Sequence, residues 1–299
     1  MSLESSLGRP SVSGDSNLPR SFGRFRLLRE IGRGARGIVY QSMDARDGKT
    51  VALKAMIPQK PPGTPEAAAD TKAYILAARL NASLPRHPSL VEVYEADEID
   101  GRGYFTMELI QGQPISTWER QERVTLRDRI ALVRAVALAL DEAHRTGFLH
   151  SNIKPTNVLV DGKDVPHLTD FRPDSTTKLE SGLSSTALGL SRGVLTYLSP
   201  EQLMNQKHID RRSDVYALGV MLFVALTGRP PFKAESTVKT LICVMNEPAP
   251  RPSSCVEAPG APAIDGKMDA IVLRALSKDP AQRHPSAQAV ADELAKWLG

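Results

Sequence analysis

The 299-residue sequence has little of several residue types, and each shortage excludes a class of protein. Its 2 cysteines, Cys243 and Cys255, are too few for a disulfide framework, so we expect reduced thiols and a cytoplasmic location. It has no run of about 18 apolar residues, so we expect no membrane span. The formal net charge is only +4 and the basic residues are scattered, so no nucleic-acid partner is expected.

The remaining composition, with 41% hydrophobic and 24% charged residues, is that of a folded globular protein. Residues 1–21 are rich in Ser, Gly and Pro but poor in large apolar side chains. Such a segment cannot bury enough surface to offset the entropy of ordering it, which predicts a flexible leader. The leader lacks a basic segment followed by an apolar one, so no signal peptide is expected.

A glycine-rich loop lies between two strand-like runs, residues 25–31 and 38–43, and contains Gly32, Gly34 and Gly37. The pattern Gly-x-Gly-x-x-Gly also occurs in dinucleotide-binding folds, but there it opens a helix. A second strand favours a loop that covers phosphate groups, because glycine lets the backbone approach phosphate oxygens closely. An ordinary hairpin turn is the alternative.

A third strand-like run and a helix are predicted next along the chain. Residues 50–56 form a third strand-like run with Lys54 inside it, 17 residues after Gly37. Taken alone, a lysine inside a strand would be a solvated edge charge. A helix is predicted from Thr64 to Leu80, with the Thr64 side chain as its cap.

The most informative stretch is His150-Ser151-Asn152-Ile153-Lys154-Pro155-Thr156-Asn157. A predicted helix precedes it, because Leu126, Ile130, Val133, Ala137 and Leu140 recur at helical spacing. A predicted strand over 158–160 follows it, and then Asp170-Phe171, 13 residues beyond Asn157. Amide and carboxylate oxygens are suitable ligands for Mg²⁺. Taken alone, an Asp before a Phe would be a surface loop residue.

In order and spacing, these motifs resemble those of eukaryotic-like (Hanks-type) bacterial Ser/Thr protein kinases over residues 22–298. The resemblance implies an α+β, two-lobed protein-kinase-like fold. Its small β-rich lobe would span residues 22–110 and its large helical lobe residues 111–299, with ATP and Mg²⁺ bound between them.

The resemblance also implies roles for individual residues. Lys154 would contact the transferring phosphate, and Asn157 and Asp170 would hold the metal. Residues at the positions of the family's ATP pocket are Ile31, Gly32, Gly34, Gly37, Val39, Ala52, Lys54, Met107, Glu108 and Ile110.

Structural signatures of the same family occur later in the chain. Glu201, in Ser199-Pro200-Glu201, would form a buried ion pair with Arg283. Asp214 matches the helix residue that holds the catalytic loop by hydrogen bonds. Such contacts fit a folded domain whatever its activity.

The departures from the family pattern fall on catalysis. Asn152 stands where the family has the Asp that accepts the substrate proton, and an amide is not a useful base. Ala73 stands where a helix Glu would pair with Lys54, and Arg172 replaces a glycine. Ser151 removes an Arg that would clamp a phosphate on residues 173–192, so we predict that this hydroxyl-rich segment is simply flexible.

These losses together predict an ATP-binding pseudokinase that regulates or scaffolds a protein partner, such as a partner kinase. A low-activity Ser/Thr kinase is one alternative. A scaffold that binds no nucleotide is the other.

Overall fold

The computed structural model describes residues 18–172, 195–204, 209–256 and 264–299. The hydroxyl-rich segment and residues 1–17 of the predicted leader lie outside these ranges. The chain divides into two compact units. The first holds the described residues up to Ala82 together with Val93–Leu109, and the second holds Ser83–Glu92 and the described residues from Ile110 to Gly299.

The first unit is a six-stranded antiparallel sheet with one helix against it. The strands occur in the order β1-β2-β3-β4-β6-β5. Their bounds are β1 Arg20–Phe22, β2 Phe25–Arg33, β3 Gly37–Asp44, β4 Thr50–Met56, β5 Val93–Ile99 and β6 Arg102–Met107, and helix α1 spans Pro65–Asn81.

The strand alternation separates the two faces of this sheet. Residues that pair directly across strands share a face. Tyr40 pairs with Leu53, and Ala55 pairs with Tyr104, which places these four side chains on one face. With Phe25 they belong to the buried apolar cluster of this unit. The opposite face carries Ala52, Lys54 and Phe105, and helix α1 packs against part of it, since the ring centroids of Tyr74 and Phe105 lie 5.8 Å apart.

Helix α1 begins where the sequence predicts. The Thr64 hydroxyl accepts a hydrogen bond from the Ala67 backbone N–H at 3.2 Å, which caps the helix. Thr71, Ile75 and Ala78 form its buried side. The predicted cap is thus confirmed.

Two boundaries differ from the sequence expectation. Strand β1 begins at Arg20, inside the predicted leader, because Arg20 pairs with Leu27 on the neighbouring strand. The strand-like run of the sequence from Leu90 to Tyr94 predicts a strand there, but the strand begins only at Val93. The preceding backbone is used elsewhere, since the Val91 N–H donates to the Leu168 carbonyl at 3.0 Å.

The second unit is mainly helical. Its helices are α2 Ile115–Trp118, α3 Leu126–Arg145, α4 Pro200–Leu203, α5 Arg211–Thr227, α6 Thr237–Asn246, α7 Gly266–Ala275 and α8 Ala287–Leu298. Its three-stranded sheet has the order β7-β8-β9, with β7 Gly112–Pro114, β8 Val158–Asp161 and β9 Pro166–Leu168.

The core of the second unit forms around α3 and α5. The predicted stripe of α3 is confirmed, because Ile130, Val133, Ala137 and Leu140 are fully buried, while Leu126 is only half-buried. Helix α5 packs closely on α7: a Cβ added at Gly219 would lie 2.7 Å from the Cβ of Ala275. Within the described ranges, no helix is long and apolar enough to cross a membrane.

Candidate active site

The catalytic loop, defined here as His150–Asn157, is held from behind by one carboxylate. Asp214, on α5, accepts backbone hydrogen bonds from His150 and Ser151, each at 2.8 Å. The His144 ring nitrogen Nε2 lies 2.8 Å from the same carboxylate. Burial opposes ionisation of Asp214, but these hydrogen bonds hold its pKa below the usual range. The predicted role of Asp214 is confirmed.

The segment 169–172 is tied to the same loop. The Thr169 N–H donates to the Asn157 carbonyl at 3.0 Å, and the Arg172 N–H donates to the His150 carbonyl at 3.0 Å. The Phe171 ring stacks on His150 with centroids 4.2 Å apart. Burial lowers the pKa of His150, so this stacked ring is neutral near pH 7. Asp170 is thereby brought beside the catalytic loop.

The two predicted metal ligands fit a hard cation. Asn157 is buried, and its Nδ2 donates to the Asn152 carbonyl at 2.8 Å. Its Oδ1 therefore serves as the acceptor, and the Thr156 hydroxyl lies 3.3 Å from it. Asp170 has a left-handed backbone with φ of 64°, which is uncommon for a residue with a side chain. An amide oxygen and a carboxylate on adjoining segments suit Mg²⁺.

Asn152 uses its amide as a donor. Its Nδ2 donates to the Asp170 backbone carbonyl at 3.3 Å. An ionised carboxylate at this position has no proton to donate. Asn152 therefore connects the catalytic loop to the segment 169–172.

A small pocket lies beside the loop in the second unit. Ser151, Asn152, Lys154 and Tyr197 are among the residues that line it. On α4, the Gln202 side chain donates to the Ser151 carbonyl at 3.2 Å. Neither Gln202 nor His144 carries a signal in the sequence, because polar residues on helices usually face solvent.

The ion pair that closes this region is also as expected. Arg283 donates to both oxygens of Glu201, at 2.6 and 2.8 Å. The Ser213 hydroxyl adds a hydrogen bond of 2.5 Å to the same carboxylate. Burial raises the Glu201 pKa, but Arg283 outweighs it and leaves that pKa below the usual range. The predicted buried pair is confirmed.

In the first unit, strand register gathers five of the ten predicted ATP-pocket residues on one face of the sheet. Gly32 pairs with Val39, and Val39 pairs with Lys54. Ala52 pairs with Met107 and lies two residues before Lys54, so it points the same way. All five therefore lie on the face opposite the apolar cluster.

Lys54 lies close to Gly37, the last glycine of the flap formed by Gly32–Gly37. The Lys54 ammonium lies 5.8 Å from the centroid of the Phe105 ring, its cross-strand neighbour. A Cβ added at Gly37 would lie 3.1 Å from the Ala55 carbonyl oxygen and 3.2 Å from the Lys54 side chain. Glycine is therefore needed at position 37 for the strands to approach as they do.

The other predicted pocket residues lie outside regular strand pairing. Ile31 falls at a register shift in β2 and is 37% exposed. The Gly34 N–H donates to the Gly37 carbonyl at 2.9 Å and closes the turn. Glu108, in the first unit, and Ile110, in the second, are half-buried residues that follow β6.

Ala73 occupies the α1 position from which the family's glutamate would pair with Lys54, as the sequence indicates. Ala73 is exposed. The nearest acidic residue before it, Asp70, lies 2.7 Å from the Arg36 guanidinium. This contact is not predictable from the sequence, because Arg36 and Asp70 are 34 residues apart.

The comparison with protein families decides the family. The family model described as "Protein kinase domain" matches residues 25–295. This chain belongs to the protein kinase domain family. The glycine-rich, catalytic-loop and Asp-Phe motifs therefore lie within a protein kinase domain.

Curated proteins that are similar to this kinase domain include mycobacterial Ser/Thr kinases. It is 33% identical over 267 residues to serine/threonine-protein kinase PknD of Mycobacterium tuberculosis, covering 89% of this chain and 38% of that protein. It is 34% identical over 264 residues to PknE of Mycobacterium bovis, covering 88% of this chain and 44% of that protein. The kinase domain thus spans less than half the length of these relatives.

A solved structure agrees in fold. The crystal structure of the Mycobacterium tuberculosis PknI kinase domain matches with a TM-score of 0.67 and 25% identity, covering 93% of this chain and 97% of that chain. The chain is therefore a Ser/Thr protein-kinase-like domain with the α+β fold of a β-rich lobe and a helical lobe, as the sequence predicts.

Proposed function

We propose that this kinase domain binds Mg·ATP and acts as a pseudokinase that regulates or scaffolds a protein partner, such as a partner kinase. The observation that carries the proposal is Asn152. The position of the proton acceptor holds an amide, and that amide donates to the Asp170 backbone.

Nucleotide binding rests on residues that the chain retains. Lys54 supplies a cation for the phosphates on the first unit, and the glycines of the flap allow close backbone approach. Asn157 and Asp170 supply the oxygen ligands of the metal, and Lys154 supplies a cation for the terminal phosphate. When bound, Mg²⁺ neutralises phosphate charge.

Impaired transfer follows from the missing base. A positioned base contributes about 10²- to 10⁴-fold to rate, equivalent to about 3–5 kcal/mol in the barrier. The amide of Asn152 can orient a hydroxyl but cannot accept its proton at neutral pH. Transfer without the base would retain only positioning and charge stabilisation.

The test combines two measurements on the same preparation, one of nucleotide binding and one of phosphoryl transfer. We expect Mg·ATP at 100 times its Kd to stabilise the folded state by about 2.7 kcal/mol, which raises Tm by about 5–11 °C. We expect transfer of labelled γ-phosphate no greater than that of the Lys54→Met variant. Tm of Lys54→Met should respond less to Mg·ATP.

The low-activity Ser/Thr kinase remains the second candidate, favoured by the retained Lys154, Asn157 and Asp170. Labelled phosphate transfer that disappears in Lys54→Met would establish it and reject the pseudokinase. A nucleotide-free scaffold is the third candidate, favoured by Ala73 and Arg172, and an unchanged Tm in Mg·ATP would establish it. A cytoplasmic location and the lack of a nucleic-acid partner stay predictions.

A further inference from the structure

The flap, defined as Gly32–Gly37, carries two arginines with different partners. Arg33 donates to Glu30 through two hydrogen bonds, of 2.8 and 2.6 Å, so this pair stays within one strand. Arg36 instead reaches helix α1, where its guanidinium donates to Asp70 Oδ1 at 2.7 Å. Arg36 thus connects the flap with helix α1.

The backbone beside Arg36 is also fixed. Its carbonyl accepts a hydrogen bond from the Ile57 N–H at 2.9 Å. The Gln59 side chain donates to the Ala35 carbonyl at 3.2 Å. Both contacts tie the second half of the flap to the chain that leads from β4 into α1. Of these contacts, the ion pair is the one that reaches the helix itself.

The Asp70 carboxylate is placed for this contact. Its side chain is 21% exposed, and its second oxygen is buried without a hydrogen-bond partner among the described residues. Arg36 is thus its charge partner in a half-desolvated setting, where an ion pair is screened less than at an open surface. Helix α1 has one other acidic residue, Glu66, which is exposed in the first turn.

We propose that Arg36 and Asp70 form a latch that fixes the flap to α1 and replaces the missing glutamate as the link between this helix and the phosphate-binding elements. Its effect on nucleotide affinity rests on the proposed ATP binding, whereas the latch itself does not. Arg36 and Asp70 are positioning residues. The latch holds the flap backbone where its glycines approach the phosphates.

The first test needs no nucleotide. Amide hydrogen exchange of Gly34 and Ile57 is measured in the full chain for wild type, Asp70→Asn, Arg36→Gln and the double variant. We expect both amides to exchange about 3- to 10-fold faster in each single variant, with no further increase in the double variant. Unchanged exchange in Asp70→Asn overturns the latch, and additive increases in the double variant overturn it as well.

Arg33→Gln is the matched control, because it removes an arginine of the same loop whose partner lies on its own strand. Exchange of Gly34 and Ile57 should remain within about twofold of wild type in this variant. If Arg33→Gln loosens the flap as much as Asp70→Asn does, the loss of positive charge explains the effect and the latch is rejected.

The second test is the Kd of Mg·ATP for the same variants. The latch predicts that Asp70→Asn binds Mg·ATP about 3- to 5-fold more weakly, the size expected of a half-exposed ion pair. Tighter binding by Asp70→Asn would show that Asp70 withholds Arg36 from the phosphates, which overturns the coupling. If wild type binds no Mg·ATP, the proposed function fails while the exchange measurement still decides the latch.

Discussion

Replacing Asn152 with Asp restores the residue that the family uses as the proton acceptor, and we expect it to lower stability without restoring activity. Asn152 Nδ2 donates to the Asp170 carbonyl at 3.3 Å. An aspartate removes the donor and places a carboxylate against that carbonyl. Ala73 and Arg172 would also remain in place.

The size of the loss follows from this one contact. A hydrogen bond contributes about 0.5–1.5 kcal/mol net, and a buried acceptor that loses its donor costs about 1–3 kcal/mol. Because the bond is long and only partly buried, we expect a loss of about 1–2 kcal/mol in the free energy of unfolding. In a chain of this size, that lowers Tm by about 2–8 °C.

The assay pairs a melting scan with transfer of labelled γ-phosphate to a generic protein substrate. Asn152→Ala is the control, since it removes the donor without adding a carboxylate, and it should melt between wild type and Asn152→Asp. Turnover of Asn152→Asp should stay far below about 1 s⁻¹, the lower end for active kinases. If Asn152→Asp melts no lower than wild type and turns over at about 1 s⁻¹ or faster, the assigned role of Asn152 is refuted.

Three further predictions concern stability. Arg283→Met leaves Glu201 buried and unpaired, and should cost about 3–5 kcal/mol, measured as the free energy of unfolding in urea. Burial raises the pKa of Glu119 from 4.5 to about 7, although Arg129 and Arg120 oppose it. The pKa of Glu119 is higher in the folded state than in the unfolded state. The stability cost of ionising buried Glu119 is therefore absent below pH 4.5 and grows as pH rises through 7. Glu119→Gln should therefore add up to about 3 kcal/mol of stability at pH 9 and none at pH 4. Gly37→Ala crowds the Ala55 carbonyl and should cost about 1–3 kcal/mol in a melting scan.

Each of these has a matched comparison. Arg274 pairs with Glu293 at an exposed site, so Arg274→Ala should cost less than about 1 kcal/mol, and equal losses at 274 and 283 would contradict the burial argument. If Glu119→Gln increases stability by the same amount at all pH values, packing and not ionisation causes the increase. A Cβ at Gly34 meets only the Gly37 carbonyl oxygen at 4.0 Å, so Gly34→Ala should leave Tm unchanged.

The elements that the sequence predicted well are those with local signals. The cap at Thr64 marks the start of α1, and the strand over 50–56 has the predicted bounds. The Glu201–Arg283 pair was also predictable, because both residues stand within recognisable motifs. In each case a short window of sequence carries the pattern.

Contacts between distant charged or polar side chains had no such signal. Arg36 and Asp70 are 34 residues apart, and each alone is typical of a solvated charge. The sequence predicted that Asn152 is not a base. Its hydrogen bond to the Asp170 carbonyl depends on how the segment 169–172 folds back onto the catalytic loop. The strand start at Val93 also depends on a distant contact, because the Val91 N–H donates to the Leu168 carbonyl.

The support of the catalytic loop by Asp214 has a consequence for experiments in cells. Because α5 fixes the loop backbone, substitutions of the Lys154 side chain should leave most of the protein folded and present at near-normal abundance. Under the proposed function, such variants would still engage the protein partner. Protein level would then report the integrity of Asp214 and its neighbours, and phenotypes at 154 would report the loss of the Lys154 ammonium group.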